Sequence, residues 1–491
     1  MFVSIFTLGC KLNQLESEAI VDSFRRGGFD PIPWDLLNRK SKEELNPLLM
    51  IVNTCTVTSM AEQKARRIIR KALKEQPEAC LIVTGCYAQM DGPSLATLEE
   101  SGRLFVIPGE MKSRLLDLPL FLKHCWSGKD LLTGLQTTLS GMLNSGKQPE
   151  PLEYSDGAFR FCPGNFSSHS RAFIKIQDGC DNRCSYCRVS LARGKGRSLN
   201  AKEVLAQLLS LEQRGFAEAV LTGVNISQYH DPLLPGLSGL LEFLLEGSGK
   251  IRLRLSSIEE FPSKEFPTKE FPSKEFSTER NREAFFKVIA NRRIRPHFHL
   301  SLQSGSAALL AKMGRRYNPQ DVEKTAAQLR KAREDPFLAC DIITGFPGET
   351  DKDFEETVEL CRKIGFAWIH AFPFSPRPGT AAFGFPGKVD EKIKTSRMKI
   401  LTALARKGRL DYLRRWEGKE VEAVVESGGK LNGSYKPPCP GKAGFVPAVS
   451  ENYLKLLVFC ADNQFPAPGS LIRCRILRPE GSRFDALAER I

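Results

Sequence analysis

Short apolar runs alternate with amphipathic stretches along the first 150 residues. "MFVSIFTLG", "LLMIVNTC" and "CLIVTGC" read as buried strands. "NQLESEAIVDSFRRGGF" sets its apolar residues on one helical face and ends in glycines, which tolerate the left-handed conformation found past a helix C-terminus. "SMAEQKARRIIRKALKEQ" reads as a basic helix with Ser59 as its N-cap. Strands joined by helices predict a parallel α/β sheet. Each strand runs into a cysteine: Cys10, Cys55 or Cys86. Ligands of open parallel sheets sit beyond the carboxyl ends of strands, so three thiols distant in sequence can converge on one edge.

Residues 126–168 are rich in Ser, Gly and Pro and read as a linker. A second series of strands follows: "AFIKIQ" (172–177), "AVLTG" (219–223), "IRLRLSS" (251–257), "HFHLSL" (297–302), "ACDIIT" (339–344) and "WIHAFP" (368–373). Helical stretches such as "NAKEVLAQLLSLEQRG" separate most of them. This predicts a partial (β/α)6 barrel with its chemistry at the C-terminal ends of the strands. Beyond residue 416 the runs "EVEAVVESG", "YLKLLVFCAD" and "GSLIRCRIL" are β-prone and separated by Gly and Pro, which predicts a small β-barrel. The expected fold is α/β in three parts: an N-terminal α/β domain (1–150), a central barrel (166–415) and a C-terminal β-barrel (417–491).

The chain has 491 residues and a net charge of +14, which favours a polyanionic partner. The helix predicted between Asp390 and Trp416 is basic, and reads either as a solvated face or as a nucleic-acid contact. No run of about 18 apolar residues offers a membrane span. "TLGC" near the start resembles a lipoprotein cleavage site, but no basic residue precedes its short apolar stretch, so export is rejected and a cytoplasmic location expected. Fourteen cysteines then point to metal or catalysis, not to disulfides.

"DGCDNRCSYC" carries Cys180, Cys184 and Cys187 in C-x3-C-x2-C spacing just after the first barrel strand. Structural zinc takes four ligands, and the next cysteine downstream is Cys340. Three thiolates suit a four-iron cluster with one iron left open, which the amine and carboxylate of S-adenosylmethionine can chelate. With Tyr186 before the last cysteine, the stretch resembles the radical S-adenosylmethionine superfamily. "TLGCKLNQLES", "VNTCTVT", "VTGCYAQ", "LTGVNISQY", "HFHLSLQSGS", "MGRRYN", "DIITGFPGET" and "FSPRPGT" resemble the methylthiotransferases of that superfamily along nearly the whole chain.

The resemblance implies two four-iron clusters, S-adenosylmethionine used both as radical source and as methyl donor, and a C-terminal RNA-binding TRAM barrel. Cys10, Cys55 and Cys86 match the ligands of the auxiliary cluster, and Cys180, Cys184 and Cys187 those of the radical cluster. Tyr186, Asn225, Ser257 and Gln303 are candidate cofactor contacts; Phe445, Asn452 and Tyr453 are candidate RNA contacts, since aromatic side chains stack on unpaired bases. "GCKLNQLES" is most similar to the bacterial branch that acts on N6-threonylcarbamoyladenosine at position 37, in the tRNA anticodon loop. Alternatives are the branches acting on isopentenyladenosine or on a ribosomal-protein aspartate, and an idle iron–sulfur RNA-binding protein. A monomer served by a separate reductant and sulfur donor is expected. His297, His299 and His370 read as packing residues, and the remaining cysteines as structural. "TGFPGET" lacks the lysine of a phosphate loop and reads as a turn. "EFPSKEFPTKEFPSKEFSTE" (260–279) repeats a five-residue unit, with prolines too frequent for a helix; it reads as an extended surface insertion after the third barrel strand, dispensable for turnover.

Overall fold

The computed structural model describes residues 1–37, 46–99, 102–125, 131–144, 157–164, 166, 170–259, 279–427, 444–461, 465–480 and 484–491. Residues 260–278 of the repeat lie outside the described residues, as does Cys439.

The N-terminal part alternates β1 (Phe2–Thr7), α1 (Lys11–Arg26), β2 (Asp30–Pro33), β3 (Leu49–Thr54), α2 (Ser59–Glu75), β4 (Cys80–Gly85), α3 (Cys86–Ala96) and β5 (Leu104–Val106). All neighbouring strands are parallel, in the order β2-β1-β3-β4-β5. This is the doubly wound order whose topological switch lies between β1 and β3, where a ligand crevice opens. Helices cover both faces: Leu49 and Ile51 pack with α1, while Met50 and Val52 pack with α2 and α3. That two-sided burial is why the strands read as continuous apolar runs.

Two local expectations are corrected. The N-cap of α2 is Thr58, not Ser59; its hydroxyl accepts the Ala61 amide at 3.1 Å. The stretch read as a linker contains a helix, α5 (Leu131–Asn144), following α4 (Leu118–Cys125). Leu135 and Leu139, one turn apart, are buried in the core beneath α1, and this i,i+4 signal outweighs the small polar residues between them.

The central part holds β6 (Ala172–Lys175), a short ribbon of β7 (Gln177–Asp178) and β8 (Arg197–Ser198), α6 (Val189–Arg193), α7 (Ala201–Gln213), β9 (Glu218–Thr222), α8 (Gly236–Gly247), β10 (Arg252–Leu255), α9 (Glu279–Ile289), β11 (His297–Gln303), α10 (Ala307–Lys312), α11 (Pro319–Ala332), β12 (Phe337–Thr344), α12 (Asp351–Ile364) and β13 (Trp368–Pro373). Two parallel three-stranded sheets, β6-β9-β10 and β11-β12-β13, are joined by bridges Leu253–Ile294 and Ile258–Leu300. The six strands thus form an open parallel barrel in chain order. Alternate strand residues such as Ile174, Leu221, Leu253 and Leu300 pack beneath the helices. The intervening positions face the lumen and are largely polar: Thr222, Ser256, His297, His299 and His370 line a cavity there. Leu15 of α1 packs on Phe173 and Val220, so the N-terminal domain reaches the lumen side of the barrel.

Helix α13 (Glu391–Trp416) runs along β12 and β13 and leads into β14 (Glu420–Val425), β15 (Gly444–Ser450), β16 (Lys455–Cys460), β17 (Leu471–Pro479) and β18 (Ala486–Arg490). These close into a barrel in the order β14-β15-β16-β18-β17. Its core is continuous with Tyr412, Leu413 and Trp416 of α13 and with Phe337 and Ala339 of β12. Beneath the central barrel, buried Glu218 binds Arg254 at 2.6 Å and Arg295 at 2.9 Å, and Arg295 reaches Glu422 of β14 at 2.8 Å. Burial would raise the Glu218 carboxyl, but the two arginines hold it at about 2. A folded pKa below the unfolded one of about 4.3 gives stability that is present above that pH and is lost as pH falls toward 2. Glu218→Gln is expected to cost about 3–5 kcal/mol at pH 7, because it leaves buried arginines unpaired. A denaturant midpoint measured at pH 7 checks this; an unchanged midpoint would show the ion cluster to be neutral.

Candidate active site

Cys180, Cys184 and Cys187 lie on the loop that follows β7, at the C-terminal end of the barrel. Gly179 makes the turn possible: it has φ +76, and a Cβ there would come within 1.9 Å of the Lys195 carbonyl oxygen. The loop is pinned where Cys180 N donates to the Gly194 carbonyl at 3.1 Å and Ser185 N donates to the Met313 carbonyl at 2.9 Å. All three thiols are half-buried. Burial pushes Cys180 up to about 12 and Cys184 up to about 11, and the other thiols and Glu259 act in the same direction. Without a metal both side chains are therefore neutral thiols; coordination would deprotonate them. Among the described residues no group of His, Cys, Asp or Glu closes around a single metal ion. A cube binds each cysteine at a separate iron and needs no such convergence, so the donor set fits an iron–sulfur cluster better than zinc.

The second thiol set lines the barrel cavity. Cys10 is the N-cap of α1, Cys55 follows β3 and Cys86 opens α3. The strands that deliver them, β1, β3 and β4, are adjacent in the sheet. Burial pushes the Cys55 thiol up to about 11 and neighbouring Cys10 and Cys86 add to the shift, which places the three together. Glycine precedes two of them for a reason of space: a Cβ on Gly9 would come within 2.8 Å of the Cys55 Cβ, and one on Gly85 within 2.4 Å of the Thr54 carbonyl oxygen. Asn13 ties the site down, donating to the Leu8 carbonyl at 2.8 Å and the Thr54 carbonyl at 3.0 Å. The three cysteines share a cavity of about 1130 Å³ with the lumen-facing strand residues, with Arg406 of α13 and with Tyr453.

Two buried arginines connect the thiol loops. Arg188, next to Cys187, donates to Thr56, next to Cys55, at 3.3 Å, to Glu62 at 3.0 Å and to Asp91 at 2.8 Å. Arg193 bonds Glu16 and Asn13 of α1 at 2.9 Å each and Asp178 of β7 at 3.0 Å. The N-terminal domain is thus locked to the barrel beside both cysteine loops.

The Radical SAM superfamily profile matches residues 174–361, and that of the Uncharacterized protein family UPF0004 matches residues 3–106. The chain is 35% identical to the threonylcarbamoyladenosine tRNA methylthiotransferase MtaB of Treponema pallidum, over 96% of this chain and 98% of that protein. It belongs to this methylthiotransferase family. It is 33% identical to the Thermotoga maritima protein of the same name, over 86% of each chain. Identity is 28% to the tRNA-2-methylthio-N(6)-dimethylallyladenosine synthase of Neorickettsia sennetsu, over 86% of this chain and 82% of that one.

Within a methylthiotransferase, the other candidates separate into those near the triad and those elsewhere. Asn225 caps a short 3-10 turn through the Ser227 amide at 3.2 Å, and its Nδ2 donates to Glu259 at 2.6 Å. Glu259 also accepts from Asn182 at 2.8 Å and from Arg315 at 2.8 Å. Arg315 donates to the Tyr186 hydroxyl at 2.6 Å, so Tyr186 is fixed from behind the triad. Glu259, Arg315, Asn182, Arg188 and Arg193 are not singled out by the sequence; the signals are the "MGRRYN" stretch, which holds Arg315, and "DGCDNRCSYC", which holds Asn182. Ser257 lines the cavity. Gln303 closes β11 with φ +65, a strained conformation for a residue other than glycine, and is buried. Tyr186 and Asn225 thus join one group around Glu259, while Ser257 lies on the lumen.

The RNA candidates divide. Phe445 is exposed and packs in a tilted arrangement on Phe459. Asn452 is fully buried: its amide donates to the Tyr412 hydroxyl at 3.1 Å and accepts from Ser450 at 2.5 Å, which makes it a brace of the C-terminal barrel and not an RNA contact. Tyr453 points inward, stacked on His297 at 4.2 Å, with Arg254 5.2 Å from its ring centroid. Burial would raise its phenol, but Lys11, Arg171 and Arg254 lower it. His297 and His370 are held below the usual range, first by burial, as befits neutral packing residues. Along α13, Arg397, Arg409 and Arg415 are committed to ion pairs with Glu349, Asp485 and Asp335, so that face is structural, while Lys399, Arg406 and Lys407 are exposed. No helix among the described residues is long and apolar enough to cross a membrane.

Proposed function

We propose that the chain installs a methylthio group at C2 of N6-threonylcarbamoyladenosine-37 in tRNA. The observation that carries this reading is two cysteine sets on one barrel, Cys10, Cys55 and Cys86 lining the lumen and Cys180, Cys184 and Cys187 on the loop at its C-terminal end, an arrangement of two soft-donor sites that a single-cluster radical enzyme does not need. Cys180, Cys184 and Cys187 would hold one four-iron cluster with its open iron for S-adenosylmethionine, and Cys10, Cys55 and Cys86 a second. When bound, the first supplies the electron that cleaves S-adenosylmethionine for hydrogen removal, and the second offers a place for sulfur.

The chain's own residues do the rest. Glu259, tied to Asn225 and Arg315, fixes the wall beside the triad. The lumen lies within the barrel between two docked domains, which limits water around the reacting base. An anticodon-loop base can be splayed out of its stack to enter it. Phe445 and the exposed cations of α13 offer stacking and phosphate contacts outside. A reductant and a sulfur donor complete the system. The test is nucleoside mass spectrometry of tRNA from cells with and without the gene. Loss of 2-methylthio-N6-threonylcarbamoyladenosine is expected on deletion; an unchanged peak would sink the substrate assignment.

A further inference from the structure

Lys11 opens α1 directly after Cys10, and its side chain enters the lumen cavity. Its ammonium lies 6.0 Å from the centroid of the Tyr453 ring. No carboxylate among the described residues pairs with it. The acid that acts on it through space is Glu218. Glu218 is already bound by Arg254 at 2.6 Å, by Arg295 at 2.9 Å and by Arg171 at 3.9 Å. The acid on the cavity wall, Asp485, is bound by Arg409 and accepts the Lys455 amide at 2.7 Å. The carboxylates of this region are spent, and a cation remains facing the cavity. An ammonium held away from bulk water without a partner is costly, and an anionic ligand would satisfy it.

We propose that Lys11 binds the carboxylate at the end of the substrate's N6 arm, and so selects an anionic N6 group over an apolar one. This rests on the proposed function, since it places the modified adenine in the same lumen. On adenine, C2 and C6 both flank N1, so a group on N6 shares an edge with C2. A base offering C2 to the side of the lumen where Cys10, Cys55 and Cys86 stand therefore carries its N6 arm along the same wall, and Lys11 is the next residue on it. A threonylcarbamoyl arm ends in a carboxylate; an isopentenyl arm has no polar atom. Only the first gives Lys11 a counter-ion. The cavity, at about 1130 Å³, has room for a nucleoside with its arm extended. Phosphates of the RNA would stay at the rim, nearer the exposed cavity residues Arg406 and Lys455.

The test uses reconstituted full-length enzyme and three anticodon stem-loops, bearing the threonylcarbamoyl group, its neutral carboxamide of the same shape, and the isopentenyl group. Affinity is read by fluorescence anisotropy and turnover as kcat/KM, with iron content measured for each variant. Wild type is expected to prefer carboxylate to carboxamide by about 100-fold in affinity and in kcat/KM. In Lys11→Met that ratio is expected to collapse to within about threefold, and Lys11→Arg to restore most of it. A ratio unchanged in Lys11→Met, or no preference in wild type, would overturn the proposal. So would a turnover loss in Lys11→Met that is equal on both substrates, which would assign Lys11 to the neighbouring cysteine site or to sulfur delivery. Failure of the underlying function reads differently: wild type would then modify the isopentenyl stem-loop and neither of the other two.

Discussion

Replacing Cys180, Cys184 and Cys187 together with alanine is expected to halve the iron of anaerobically reconstituted protein, from about eight to about four per chain. Cleavage of S-adenosylmethionine to 5′-deoxyadenosine should fall to background. The expectation follows from the independence of the two sites. The triad sits on a single loop held by backbone bonds to Gly194 and Met313, none of which uses a thiol. Removing half-buried sulfur atoms leaves those bonds in place, so the loop should keep its course and the second site its ligands. The second set is carried by a different domain, on strand ends whose packing involves α1, α2 and α3. Iron and acid-labile sulfide assays with a single-turnover measurement of 5′-deoxyadenosine check the result. Zinc bound in place of iron, or undiminished cleavage in the triple variant, would overturn the assignment of the triad.

What was legible in the sequence was whatever depends on neighbours along the chain. The triad lies within eight residues, and strands with both faces covered read as apolar runs because no alternation interrupts them. The convergence of Cys10, Cys55 and Cys86 was also legible, since parallel strands deliver their ends to one edge whatever the loop lengths. The buried ionic joints were not. Arg377 meets Glu62 only because the N-terminal domain docks on the barrel, and Arg254 meets the Ser450 carbonyl only because the C-terminal barrel closes its base. Nothing in local periodicity marks one arginine among 71 basic residues as the one that will be buried. The same blindness misplaced Asn452, which is fully buried. The turn that carries it faces the central barrel, where Tyr453 adopts φ +66, lies beside His297 and lines the lumen. The C-terminal barrel also shares its core with Tyr412 and Trp416, so cutting the chain after Trp416 would expose apolar surface of the central barrel as well as remove the small barrel.

The two cysteine sets should separate by product. In Cys10→Ala, Cys55→Ala or Cys86→Ala, 5′-deoxyadenosine is expected to form while the methylthiolated nucleoside falls below detection, a loss of at least about 100-fold. The reason is geometric. These residues belong to a different domain from the triad, and neither the triad loop nor the Glu259–Arg315–Tyr186 group leans on their sulfur atoms. Packing loss alone cannot account for such an effect. Cys55 is the buried member, and trimming a small buried side chain to alanine costs on the order of 1 kcal/mol. Cys10 is exposed and should cost less still. A folding defect would therefore rank the variants by burial, with Cys55→Ala worst and Cys10→Ala nearly silent. A lost cluster ligand would instead make all three alike in product while leaving thermal unfolding of the apo proteins close to wild type. Liquid chromatography of both products from one reaction, beside apo-protein melting curves, distinguishes the two patterns. Full methylthiolation by Cys10→Ala would remove that residue from the ligand set.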